Sequence, residues 1–80
     1  MIIKAESKKN KKWLHISQDN GEIKILISAI HTIRLAQTPQ RECIKATVSI
    51  RYKHGQSEVF QFFDVPSAYK VYYAIDEALL

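Results

Sequence analysis

The chain has 80 residues, 46% of them hydrophobic and 25% charged, which excludes an intrinsically disordered segment and is enough for one domain spanning residues 1–80. A single cysteine, Cys43, excludes an internal disulfide, and no apolar run approaches the ~20 residues of a transmembrane segment, so a soluble, cytoplasmic protein is expected. The net charge of +4 is local: Lys4, Lys8, Lys9, Lys11 and Lys12 stand against Glu6, and the remaining charges balance, which argues against a broad basic face for nucleic acid.

Residues 1–12 read as a basic amino-terminal strand or loop, residues 13–63 as strands and residues 66–79 as a helix. In "KWLHIS" Leu14 and Ile16 share one face while Trp13, His15 and Ser17 share the other, as in a half-buried strand. "QDNG" then supplies Asn20-Gly21, a pair suited to the positive φ angles of a type I′ hairpin turn. In "EIKILIS" Ile23, Ile25 and Ile27 share one side and Glu22, Lys24 and Ser28 the other, with Leu26 making the second side partly apolar. Ile27, Ile30 and Ile33 are then three apart, a spacing that predicts a bend or one helical turn around "SAI".

"TIRL" resumes alternation with Ile33 and Leu35 inward, and "AQTPQR", with Pro39, reads as a loop. "CIKATVSIRYK" is the clearest strand, with Ile44, Ala46, Val48, Ile50 and Tyr52 on one face and Lys45, Ser49 and Arg51 on the other. Such one-sided patterning predicts antiparallel structure with a wet outer face. "HGQS" is a turn, and "EVFQFF" returns with Phe60 and Phe62 opposite Val59, Gln61 and Phe63. In "DVPSAYKVYYAIDEALL" Pro66 suits the first helical turn, Asp64 or Ser67 can cap it, and Ala68, Val71, Tyr72, Ile75 and Leu79 form an apolar stripe.

These elements predict an α+β fold: a bent antiparallel sheet or partly open barrel of about five to seven strands, capped by one carboxy-terminal amphipathic helix. Over residues 13–80 the chain resembles the small bacterial and phage members of the pleckstrin-homology-like (PH/GRAM-like) superfold. The resemblance lies in "ILISAIHTIRL", "VSIRYKHGQSEVFQF" and "DVPSAYKVYYAIDEALL". It implies a barrel plugged at one end by the final helix. Members that bind phosphoinositides carry a basic signature at the first hairpin, to which Lys9-Asn10-Lys11 is similar, although no arginine accompanies it.

The sequence shows no paired carboxylates, Gly-rich phosphate loop, Ser elbow or His-x-x-x-His, and His15, His31 and His54 lack metal-ligand spacing. No enzyme is expected, and no catalytic, cofactor-binding or metal-binding residue is assigned. The expected role is a non-enzymatic interaction domain that docks a protein partner or forms a homo-oligomer. It would use the sheet edge near strand 43–53, with Lys45 and Arg51, and the helix side bearing Tyr69 and Tyr73. The alternative is binding of nucleic acid or anionic lipid through Lys8, Lys9, Lys11, Lys12 and Trp13, with Lys24 nearby. Against both stands the plain reading of the lysines as a solvated loop and of the tyrosines as helix packing.

Overall fold

Period-two alternation produces six strands and a 3.6-residue stripe produces one helix: β1 (Ile2–Lys8), β2 (Lys11–Gln18), β3 (Gly21–Leu26), a 3-10 turn (Ile27–Ala29), β4 (Ile30–Pro39), β5 (Ile44–Tyr52), β6 (Ser57–Phe62) and α1 (Val65–Leu79). The computed structural model describes residues 1–18, 21–39 and 44–80, except for the side chains of residues 38, 39, 44 and 45. The strands form two three-stranded antiparallel sheets, ordered β1-β2-β3 and β4-β5-β6. The architecture is α+β as expected, but the strands are divided between two sheets that do not close into a barrel. The reason lies at the corner. Three residues of 3-10 turn interrupt the ladder after Leu26, so β4 starts a new sheet instead of extending the first.

That corner solves the three-residue spacing of the isoleucines. With one helical turn between them, Ile27 and Ile30 both point inward and both are buried. The Lys53 amide donates to the Ala29 carbonyl at 2.8 Å and ties the corner to the β5–β6 turn. His31 falls at a register irregularity between Ile30 and Thr32, an extra residue that re-aims β4.

Each sheet turns one face inward. Leu14, Ile16 and Ile25 from the first, Ala46, Val48, Ile50 and Phe62 from the second, and Ala68, Val71 and Ile75 from the helix belong to one buried cluster. Asp64 caps the helix, accepting from the Ser67 amide at 2.9 Å, with Pro66 in the first turn. These hydrogen bonds from Ser67 hold the Asp64 carboxyl below its ordinary pKa.

Three local expectations are corrected. Residues 36–39 are not loop: β4 runs through Pro39, which pairs with Ile44, and the position is tolerated because β4 is an edge strand at its end. Gly21 is not a central turn residue but the first residue of β3, paired with Gln18, while residues 19 and 20 lie outside the described ones. Leu79 is not core; at 42% exposure it sits in the last helical turn, beyond the cover of the sheets. Cys43 lies outside the described residues.

The Tyr52 hydroxyl donates to Glu58 Oε1 at 2.8 Å across the β5–β6 ladder. Burial, and then the hydrogen bond and charge of Glu58, push its pKa up to about 12. An unfolded tyrosine titrates near about 10, so this contribution is complete below about pH 10 and is lost as pH rises towards 12. Tyr52→Phe should be about 1 kcal/mol less stable than wild type at neutral pH. Urea unfolding at rising pH should show that gap narrowing between about pH 10 and 12; a gap independent of pH would contradict the assignment.

Candidate functional site

The lysine run folds as the tip of the β1–β2 hairpin and is split by it. Lys9 and Asn10 form the two-residue turn with φ values of 53° and 63°, the left-handed pair of a type I′ hairpin. Lys8 stands directly opposite Lys11, on the same face of the sheet as Trp13 and His15. Lys12 has the opposite parity, that of Leu14 and Ile16, and its Nζ donates to the Ala78 carbonyl at 3.1 Å. The last turn of α1 carries no basic residue of its own, so Lys12 supplies the cation that the negative end of the helix favours. Lys12 thus reaches the helix end, while Lys8, Lys9 and Lys11 belong to the tip and the outer face.

Trp13 is half-buried on the outer face, flanked in register by Glu6 and Leu26. Lys24 does approach it, as expected, with Nζ 4.8 Å from the ring centroid. A cation over an indole at a partly exposed site contributes about 0.5–1 kcal/mol, so Lys24 covers the ring that an incoming base would need. His15 Nε2 lies 2.7 Å from Glu6 Oε2 on the same face. Acidic and basic groups thus alternate over this sheet. Among the described residues no three His, Cys, Asp or Glu side chains gather as a metal site requires.

The helix side is more apolar. Tyr69 and Tyr73 stack with centroids 5.7 Å apart, and Tyr72 meets Tyr73 edge-on at 5.6 Å. Tyr69 is half-buried and its hydroxyl accepts from Gln37 Nε2 at 3.2 Å, which fixes it against β4. Tyr73 is 59% exposed. Arg51 is exposed on the outer face of β5, opposite in parity to buried Tyr52 and so on the other side of the sheet from the helix. The structure does not bring it to the tyrosines. The Lys45 side chain lies outside the described ones.

Among the described residues, 44–52 form no sheet edge of the kind expected near 43–53. β5 is the central strand of its sheet, paired with β4 on one side and β6 on the other. The edge available on that side is β6, where Val59 is 59% exposed and Phe63, just beyond the strand, is 85% exposed. Sequence patterning does not single out these two residues, although the parity of "EVFQFF" places them opposite Phe60 and Phe62. The missing information is that Ser57, Val59 and Gln61, on the face opposite β6's inward side, stay exposed.

Comparison with protein-family models, with curated proteins and with solved structures found no match. No helix among the described residues is long and apolar enough to cross a membrane.

A left-handed lysine costs roughly 1 kcal/mol, and Asn-Gly is the pair best suited to this turn. The double variant Lys9→Asn/Asn10→Gly should therefore raise stability by about 1 kcal/mol in chemical denaturation. A loss of stability would show that the side chain of Lys9 or Asn10 holds the tip.

Proposed function

We propose that this chain is a non-enzymatic interaction domain of the pleckstrin-homology-like type that docks a protein chain, its own or another's, in the reducing cytosol that a lone cysteine suits. Support for the class comes from two antiparallel meanders joined at a corner and closed on one flank by a carboxy-terminal helix. The observation that carries the docking role is the exposure of apolar and aromatic side chains on the second sheet's flank and the helix, Val59, Phe63 and Tyr73. Large exposed side chains of this kind on a folded surface are what protein contacts bury.

The test sets wild type beside Val59→Ser/Tyr73→Ser in sedimentation and in affinity capture from lysate. Wild type should associate with itself or retain a defined protein, and the double variant should weaken that by at least about tenfold. A wild-type chain that stays monomeric and retains the same proteins as the variant contradicts the proposal.

A second reading, weak binding of a polyanion, is supported by the Lys8–Lys11 pair flanking Lys9 at an exposed tip. It requires affinity for nucleic acid or anionic vesicles that falls steeply with salt and disappears when Lys8, Lys9 and Lys11 are changed to Gln. Binding that survives those changes, or that salt does not weaken, rules it out.

A further inference from the structure

β1 is an edge strand: it pairs with β2 alone, and every one of its residues is described. Ile3 and Ala5 stand opposite buried Ile16 and Leu14, so Ile3, Ala5 and Ser7 take the inward side and Ile2, Lys4, Glu6 and Lys8 the outer one. Despite that parity Ala5 and Ser7 are exposed. Ile3, Ala5 and Leu14 floor a groove of about 310 Å³ whose wall is Ala74, Glu77 and Ala78 of α1, so the helix leaves this edge uncovered.

The direction of its free groups follows from the hairpin. The two-residue turn at Lys9 and Asn10 makes Lys8 and Lys11 a hydrogen-bonded pair, and such pairs alternate with non-bonded ones along an antiparallel ladder. Ile2, Lys4, Glu6 and Lys8 thus direct their amides and carbonyls to β2. Ile3, Ala5 and Ser7 direct theirs outward, where β2 does not reach. Charges of one sign ordinarily discourage pairing at such an edge. In β1 the two charges beside the central residue, Ala5, have opposite sign: Lys4 before it and Glu6 after it.

We infer that β1 pairs with β1 of a second copy of this chain, antiparallel, about a two-fold axis at Ala5. Self-complementary charge selects the second copy. Ala5 is the midpoint of Ile2–Lys8, so the register that keeps the whole strand paired sets Lys4 opposite Glu6 of the partner copy and Glu6 opposite its Lys4. A shift by two residues, the smallest that keeps the faces matched, brings Lys4 to Lys4 in one direction and Glu6 to Glu6 with Lys4 to Lys8 in the other. In the centred register Ile3 faces Ser7, Ala5 faces Ala5, and the outward groups of these residues satisfy one another in about six hydrogen bonds. Ile2 faces Lys8, so directly opposed residues carry no like charges. Glu6 holds His15 at 2.7 Å and keeps half of its side chain exposed, which leaves it able to meet a second cation. The inference goes beyond the docking proposal and uses a different surface, since Val59, Phe63 and Tyr73 do not lie on β1.

Sedimentation equilibrium across a concentration series tests it, with circular dichroism confirming that each variant folds. Wild type should dimerise. Lys4→Glu sets carboxylate against carboxylate on both sides of the axis, and Glu6→Lys sets ammonium against ammonium. Each alone should weaken dimerisation by at least about tenfold. An equimolar mixture of the two variants restores opposite charges at both pairs and should associate at least about tenfold more tightly than either variant alone. Val59→Ser/Tyr73→Ser should dimerise as wild type does. A mixture no tighter than its components overturns the inference. Should Glu6→Lys fail to fold, Lys4→Glu alone decides: weakened dimerisation upholds the edge and undiminished dimerisation overturns it. Dimerisation that survives the charge reversals but is lost in Val59→Ser/Tyr73→Ser overturns the β1 edge while leaving a docking domain. A wild type that is monomeric throughout overturns the edge as well, and capture of a different protein then decides the docking role separately.

Discussion

Neither sheet can stand alone, because each has a single apolar face, and the helix stripe of Ala68, Val71 and Ile75 is the surface that both faces share. Ile16, Ile25, Val48, Ile50, Val71 and Ile75 are fully buried, and each removes an aliphatic side chain from water for about 1.5–3 kcal/mol. In a domain of this size little else offsets the entropy of ordering the chain. The 3-10 corner at Ile27–Ala29 is the covalent expression of the same constraint. It breaks the β ladder so that the second sheet folds back with its apolar face towards the first.

This arrangement has two flanks, and they differ. On one, α1 lies against β1, β2, β4, β5 and β6, its amino end capped by Asp64 and its carboxyl end met by Lys12. On the other, β3 and β6 face a crevice with no ladder between them among the described residues. Charge follows the first flank, because the lysine hairpin tip sits against the end of the helix. Exposed apolar side chains stand on both, Tyr73 and Leu79 on the helix of the first and Val59 and Phe63 on the second. The feature most conspicuous in the sequence, the lysine run, is thereby partly tied to the helix end through Lys12, while the quieter "EVFQFF" leaves Val59 and Phe63 exposed.

Local features were legible where the physics is local. Alternation alone located Leu14 and Ile16, and likewise Ala46, Val48, Ile50 and Tyr52, on buried faces, and Pro66 with the stripe behind it narrowed the helix cap to Asp64 or Ser67, of which the structure uses Asp64. The isoleucine spacing at 27, 30 and 33 announced a bend or a helical turn, and the structure makes the turn. What depends on partners distant in the chain was not legible. Nothing in residues 43–53 says that strands pair on both sides of them, and nothing in Lys12 says that its parity aims it at a helix end 66 positions away. Pro39 suggested a loop because a proline's cost depends on whether its strand is an edge. The exposure of Leu79 likewise depends on where the sheets stop.

The central claim is that both sheets and the helix stand or fall on one shared core. The most direct measurement is native-state hydrogen exchange at the Ile16 and Val48 amides, one in each sheet, in wild type and Ile75→Ala. Truncating this buried side chain should cost about 2–5 kcal/mol, and the account predicts that both amides lose protection by the same amount. Loss of protection at Val48 with Ile16 unchanged, or the reverse, would contradict a single core.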